Sequence, residues 1–413
     1  MMRRLADNTP GNRAPASGVA TYGVRVPRTG AAVEVARTSG EAARFATEWQ
    51  SLADRAADPN VFYEPWCFLP ALNHYGKDRD TRIAFVHDVA DGNRRLIGVF
   101  PLEYRRRFHR QPLPHMVAWQ HPQLFLASPL VDPERGSDAW TLLLGWARDH
   151  GTCLIDLPGM VAGGGTVGSL HAALGSAHRR CRSIDQYDRA LLCLDAPSAE
   201  TYIERSSSAG SRKSWRRQFR RLSEQGNLEV RSLQRCADAG PWIDGFLALE
   251  ASGWKGRAGT ALAVDPAETQ YFRAVCAAAA DRGALHMAGL YIDGRAVALQ
   301  CNLMARGGGF AFKVAFDESW AAYSPGVLLE IESIRDVFAR SDFTTMDSCT
   351  GKNHPLMNRL WSGTRSIEHY LVATGGMRGR LILAVYPVVK RLRAMRKAVP
   401  SGSVRPNDAG AGA

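Results

Sequence analysis

Tyr323, Ser324, Pro325, Gly326 and Val327 stand between an alternating aromatic run, Phe310 to Phe316, and a run with helical spacing, Val327 to Ile334. Proline fixes φ and glycine accepts conformations closed to other residues, so these residues predict a turn. A strand, a small-residue turn and a helix in that order leave helix-start N–H groups unpaired at the positive end of the helix dipole. One such contact contributes about 0.3–1 kcal/mol, so an anion is held only by several converging donors. A pyrophosphate can use several at once. Neither G-x-x-x-x-G-K-[ST] nor G-x-G-x-x-G spans this turn, which leaves phosphates held by backbone amides alone. The competing reading is an ordinary strand-to-helix connection.

Charge is the second signal. The chain carries a net +12, yet Arg212, Lys213, Arg216, Arg217, Arg220 and Arg221 follow one another with no acid between them. So do Arg378, Arg380, Lys390, Arg391, Arg393, Arg396 and Lys397. These two segments account for the whole excess. In the first, Trp215, Phe219 and Leu222 supply an apolar stripe; a solvated helix face is the ordinary reading, and attraction of an anionic substrate the functional one. The tail from Leu381 to Arg396 mixes apolar and basic residues and is interrupted by Pro387. It suits either an anionic membrane surface or a helix docked on the domain.

The elements that must position these residues occur twice in the same order. Glu41 to Ala57 and Tyr63 to Tyr75 predict helices, and Arg82 to Arg107 a hairpin about Asp91-Gly92. Trp242 to Gly253, Ala267 to Arg282 and Leu285 to Met304, about Asp293-Gly294, repeat the pattern. The first copy then reaches a turn bearing Asp132, Glu134 and Asp138, whose charge would repel a phosphate. The second reaches Tyr323 to Val327, whose core has no acid. An anion site is therefore expected in the second half. Gly163 to Gly168 fits G-x-G-x-x-G, but Pro158 to Ala162 separates it from the strand predicted at Cys153 to Leu157, so a glycine loop is the better reading.

Composition excludes several classes. No run of eighteen apolar residues is present, nor an N-terminal apolar signal. Eight scattered cysteines without C-x-x-C suit a reducing compartment, and no His or Cys spacing marks a metal site. A cytoplasmic protein follows, with peripheral membrane association through the tail as an addition.

The strand F-K-V-A-F-D before Tyr-Ser-Pro-Gly, the run E-A-S-G-W-K-G-R-A-G-T-A from Glu250, S-R-K-S-W-R-R-Q-F-R-R-L from Ser211 and D-S-C-T-G-K-N-H-P from Asp347 together resemble a known family. It is the CelD/BioF2-like acyltransferase group of the GNAT superfamily, and the resemblance spans roughly residues 198 to 375. Two consecutive GNAT-like halves also resemble the Fem peptidyltransferases. Here the sequence departs from the commoner GNAT phosphate turn, Q/R-x-x-G-x-G/A. The resemblance implies an α/β (α+β) fold of two tandem GNAT-like domains, each a mixed, mostly antiparallel sheet flanked by helices. The expected division is a disordered segment 1–32, a non-catalytic domain 33–195, a catalytic domain 196–376 and a basic tail 377–413.

Acyl transfer from acetyl-CoA or another acyl-CoA to an amine needs a base, an oxyanion donor and a proton for the thiolate. The expected cofactor contacts are Val314, Phe316, Tyr323, Ser324, Pro325, Gly326, Val327 and Leu328, with a backbone N–H at Val314 to Phe316 for the oxyanion. Glu250, Asp317 and Asp347 are candidate bases, Glu250 through burial at the end of an apolar helix. Tyr323 would protonate the thiolate. Lys313 is expected to pair with Asp347 or Glu250, or to orient an acidic substrate. Glu250, Lys313 and Asp347 resemble the polar lining of the family's acceptor pocket. Trp254, Lys255, Arg216 and Arg217 are the expected substrate contacts. The acceptor that the resemblance implies is an amino sugar or other small amine on the way to a surface polysaccharide. Two rivals stand beside this reading: an aminoacyl-tRNA-dependent Fem-like transferase, and a non-catalytic protein binding membrane or nucleic-acid surfaces.

Overall fold

The computed structural model describes residues 32–90, 93–109, 111–175, 180–340, 343–352, 354 and 356–398. The segment expected to be disordered and the Asp91-Gly92 turn lie outside these, save for Ala32. The first half runs β1 (Ala32–Ala36), α1 (Ser39–Ala43), α2 (Ala46–Ala53), α3 (Pro65–Tyr75), β2 (Thr81–Ala90), β3 (Asn93–Arg105), β4 (His115–Ala118), β5 (Leu130–Val131), α4 (Gly136–Asp149), β6 (Leu154–Val161), α5 (Gly165–Leu174) and β7 (Cys181–Cys193). The second continues with α6 (Ala199–Ser206), α7 (Ala209–Ser223), β8 (Leu228–Ser232), α8 (Ala239–Ser252), α9 (Trp254–Arg257), α10 (Pro266–Asp281), β9 (Leu285–Ile292), β10 (Arg295–Ala305), β11 (Gly307–Phe316), α11 (Pro325–Phe338), β12 (Phe343–Asp347), α12 (Met357–Leu360), β13 (Gly363–Ala373) and α13 (Gly376–Ala398).

Local chemistry accounts for most boundaries. The helix expected from Glu41 to Ala57 breaks at Arg44-Phe45 into α1 and α2, yet Phe45, Trp49 and Leu52 keep one buried face. At the β9–β10 turn Asp293 and Gly294 both have positive φ, 46° and 78°, as a type I′ hairpin requires. β6 runs on through Pro158 to Val161, so the glycine loop does follow its strand directly, contrary to expectation. Its helix start is already taken: Asp58 accepts the Gly165 and Thr166 N–H groups at 3.0 and 2.8 Å. α13 likewise continues through Pro387, which lacks the N–H that would bond to Leu383.

The strands form one sheet in the order β1-β2-β3-β4-β6-β13-β7-β12-β11-β10-β9-β8, with β5 beside β3. The order is its own mirror under the duplication. β1 to β4 and β6 on one wing correspond to β8 to β12 on the other, and β13 and β7 meet in the middle. Each half therefore contributes its last strand to its partner's wing. Pairing is antiparallel except at β4–β6 and β11–β12, the equivalent places in the two wings. The two halves thus carry the expected mixed, mostly antiparallel sheets, and these join edge to edge into one continuous sheet.

Helices α8 and α10 cover one face of the second wing, where Phe246, Phe272, Met287, Leu299 and Cys301 join the main core. α11 covers the opposite face through Leu328 and Leu329 against Ala288, Leu290 and Val297. Burying each such side chain contributes about 1.5–3 kcal/mol, so both faces are strongly held.

Residues 196–376 alone would contain β13 but lack β7, leaving an open edge on β12. The isolated half is expected to aggregate, and co-expression with residues 33–195 to recover a soluble one-to-one complex by size-exclusion chromatography. A monomeric, cooperatively folding isolated half would contradict the exchange.

Candidate active site

β11 is the hinge of the site. It pairs with β12 only from Gly307 to Phe310, and the two strands then diverge. From Ala311 to Phe316 one edge of β11 remains on β10, while the other has no strand partner among the described residues. Asp317 N donates to Val297 O on β10 at 2.9 Å. Because successive N–H groups alternate in direction, those of Phe316 and Val314 face the open edge.

A β-bulge decides which way the side chains point. Cys301 faces Lys313 and Asn302 faces Ala311, so Phe312 is the extra residue. The expected unbroken alternation from Phe310 to Phe316 is therefore lost. Phe310, Phe312 and Ala315 lie in the main core, and Lys313 turns to the same side. Val314 and Phe316 turn to the α11 side and are 46% and 36% exposed. Re-aiming a side chain beside a functional site is a recurrent use of bulges.

Lys313 Nζ lies 5.6 Å from the Phe125 ring centre and 5.4 Å from that of Phe312, and donates to Gln123 Oε1. Its expected ion pairs with Asp347 and Glu250 are not formed. Burial, with the positive charge of Lys255, lowers its pKa to about 8. Phe125 also lines a cleft of about 360 Å³ between the halves, with Tyr187, Arg189, Cys349 and Thr350. Gln123, Phe125 and Arg189 come from the first half, and no local spacing marked them.

The two candidate carboxylates are buried but committed. Glu250 accepts from Lys255 Nζ at 2.7 Å and from Leu262 N at 2.9 Å, fastening the end of α8 to the segment after α9. Asp347 is fully buried; it accepts from Arg189 Nη2 at 2.7 Å, Arg365 Nη1 at 2.8 Å and Cys349 N at 2.9 Å. Arg189 Nε lies 2.7 Å from its other oxygen without the alignment of a hydrogen bond. Asp317 caps the short helix Glu318–Tyr323 through Ser319. None of the three is a free base.

The turn differs from expectation in one respect: Ser324, not Gly326, has the left-handed backbone, with φ 53°. Gln218 Nε2 of α7 donates to Ser324 Oγ at 3.2 Å, and Arg221 lies 5.4 Å over the Tyr323 ring. Ser324 O accepts from Val327 N and Leu328 N, and no side chain caps α11. Among the described residues the Gly326 N–H has no acceptor. A Cβ on Gly326 would meet nothing nearer than Phe316 Cδ1 at 3.8 Å, so the approach is open. In the equivalent turn of the first half, just before α4, Asp132 Oδ1 accepts from Glu134 N and Arg135 N at 3.1 and 3.2 Å. Its other oxygen binds Arg55 and Arg95. Asp132 thus answers the amides of its own turn.

The four expected substrate contacts divide between two faces. Trp254, 57% exposed, and Lys255 lie where α9 meets the end of β11, with Trp254 N donating to Glu318 Oε1 at 2.7 Å. Arg216 and Arg217 ride on α7 over the α11 side, away from Lys313. Pro325 and Leu328 are buried at the start of α11, and Leu328 belongs to the core. Among the described residues no three His, Cys, Asp or Glu side chains are grouped to hold a metal ion.

The lowered lysine pKa has a thermodynamic consequence. The folded state binds fewer protons than the unfolded between about pH 8 and the ordinary lysine value of 10.5, so stability from this group rises with pH across that window. Below it the burial penalty is complete. Lys313→Met is expected to raise stability at pH 7 by about 2–3 kcal/mol at most, and to flatten the rise toward pH 10, in urea titrations. Destabilisation at pH 7 would contradict the burial cost.

Residues 209–354 match the family profile described as Acetyltransferase (GNAT) domain. No curated protein matches the sequence. Among solved structures, FemX is similar over 82% of this chain and 98% of its own, with 11% identity and a TM-score of 0.53. The C-terminal domain of a putative lysylphosphatidylglycerol synthetase from Agrobacterium fabrum is similar over 84% and 96%, with 13% identity and a TM-score of 0.50. A conserved protein of unknown function from Bacteroides thetaiotaomicron is similar over 80% and 96%, with 11% identity and a TM-score of 0.50. At these identities the likeness is one of fold. The chain therefore has a GNAT-superfamily, Fem-like fold, and its residues 209–354 form a domain of the GNAT acyltransferase family.

Proposed function

We propose that this protein is an acyl-CoA-dependent N-acyltransferase of the CelD/BioF2-like kind, passing an acyl group, acetyl in the simplest case, to a small amine such as an amino sugar. The observation that carries the reading is the open edge of β11 from Ala311 to Phe316, ending beside an uncapped helix start. A pantetheine arm, which carries amides, suits an unpaired strand edge, and its pyrophosphate suits the Gly326 N–H and the helix dipole. The amino-sugar acceptor, and with it a place in surface polysaccharide synthesis, rests on the sequence resemblance.

In this reading Lys313 is the base. Its amine, partly neutral near pH 8, takes the proton that the acceptor nitrogen must lose. The N–H groups of Val314 and Phe316 donate to the thioester oxygen as it gains charge. The new C–N bond forms as the C–S bond breaks, and the Tyr323 hydroxyl supplies the thiolate's proton. Glu250 and Asp347 hold the frame, Glu250 by fixing Lys255 and Asp347 by fixing Arg189 and Arg365. Trp254 and Lys255 border the acceptor side. Arg216 and Arg217 belong to the donor end, on the helix that reaches the turn.

A second reading is favoured by the fold shared with FemX and by the exposed outer face of α7, where Lys213, Arg216, Arg217 and Arg220 cluster. There the acyl carrier is an aminoacyl-tRNA, and binding would weaken steeply with salt.

Calorimetric titration with acetyl-CoA is expected to show micromolar binding that Gly326→Glu abolishes, since the variant adds charge at the turn without a clash. Absence of binding by acetyl-CoA and longer acyl-CoAs, with salt-sensitive tRNA binding, would move the second reading forward. Once an acceptor is found, kcat/KM should rise with pH to a plateau above about 8. Lys313→Arg, which cannot deprotonate, should lose about 10²–10⁴ in kcat with little change in acyl-CoA affinity. An unchanged pH profile in that variant would remove Lys313 as the base.

A further inference from the structure

α13 leaves the sheet with two contrasting faces. Leu383 is buried with Phe108, Leu154, Leu371 and Ala373, and Ile382 and Tyr386 pack against them. A Cβ on Gly379 would meet Cys153 O at 2.6 Å, so the helix lies close on the sheet. The opposite face carries Met377, Leu381, Val385 and Val388, which are 79%, 64%, 44% and 59% exposed. Spacings of four, four and three put them on one stripe. They are four of the nine large apolar side chains exposed among the described residues, and the only ones gathered on one helix.

Positive charge gathers near this helix from four separate segments. Arg378, Arg380, Lys390 and Arg391 are exposed on α13 itself, and residues 369–398 contain no acid. Phe108 and Tyr386 are in ring contact, with centroids 6.2 Å apart, which brings the exposed Arg106 and Arg107 alongside. Before β7, Arg180 donates to Ala373 O and Thr374 O at 3.3 and 2.7 Å, and Arg148 and Arg380 are near enough to act on its charge. Among the described residues no helix is long and apolar enough to cross a membrane.

We propose that this face seats on an anionic phospholipid bilayer, with α13 lying in the plane of the interface and its apolar stripe turned to the acyl chains. The pattern is that of an interfacial helix: a solvent-facing apolar stripe, basic flanks and no spanning length. Charge complementarity selects the partner. A second copy docked through this face would bring arginines against arginines with no acid on the helix to answer them, whereas an anionic leaflet neutralises them. The proposal is independent of the acyl-transfer reading.

Cosedimentation of the full chain with vesicles tests it. With vesicles holding about half phosphatidylglycerol the protein should pellet, with pure phosphatidylcholine it should stay in the supernatant, and about 0.5 M NaCl should release it. The double variant Leu381→Asp/Val388→Asp, and separately Arg378→Ser/Arg380→Ser/Arg391→Ser, should each lower the partition coefficient about tenfold or more. Unchanged thermal melts would show that these exposed substitutions leave the fold intact. Failure to pellet with anionic vesicles would overturn the proposal, as would equal pelleting with neutral ones. So would a dimer in sedimentation velocity that Leu381→Asp/Val388→Asp converts to monomer.

Discussion

Arg189, Asp347 and Arg365 come from β7, β12 and β13, which are the strands where the two halves exchange. Arg189 is 2% exposed and Asp347 fully buried, so neither charge has water to fall back on. Desolvation makes such a group a weak source of net stability, but removing one member leaves a buried charge without an answer, at a cost of about 3–5 kcal/mol. The group therefore acts mainly on register. A one-residue slip of β13 against β7 would turn Arg365 to the other face. It would also part Arg189 from the carbonyl of Phe125, which it holds at 2.7 Å. Phe125 is the ring that faces Lys313. The seam that joins the halves and the wall of the cleft are thus one arrangement.

The bulge at Phe312 decides what meets the Phe125 ring from the second half. A regular β11 would send Lys313 toward α11, on the face away from the first half. The extra residue puts Phe312 and Lys313 side by side, and the amine comes to rest between aromatic rings from both halves. Burial then lowers its affinity for a proton. The same displacement turns the Val314 and Phe316 side chains to the α11 side, so one backbone irregularity sets where three side chains of the strand point.

Much of this frame was legible in the sequence because it rests on local chemistry. Asp293-Gly294 specifies its turn through φ, Pro325 starts α11, and the apolar periodicity of Trp242 to Gly253 places α8. What was not legible depends on contacts distant in the chain. Glu250 and Asp347 read as available acids because nothing near them in sequence discloses Leu262, Arg189 or Arg365. Lys313 was expected to seek a carboxylate, yet a lysine flanked by aromatic residues at a bulge has no local signature of where it points. The exchange of β7 and β13 is invisible for the same reason: each strand's pattern is satisfied equally in either wing.

The duplication also sets two differently charged turns on one fold. Both halves retain a short parallel pair, a turn and a helix start. In the first, Asp132 accepts the Glu134 and Arg135 N–H groups of the turn before α4 and answers Arg55 and Arg95 with its other oxygen. A tethered carboxylate needs no translational entropy to bind, so a free phosphate cannot readily compete with it. In the second half Ser324 occupies the cap position in a left-handed conformation, and its hydroxyl is turned to Gln218 instead of the helix start. Among the described residues nothing accepts the Gly326 N–H and no side chain caps α11. Two copies of one supersecondary unit thus differ in how their turns are charged, a difference carried by residue types that the sequence displays directly.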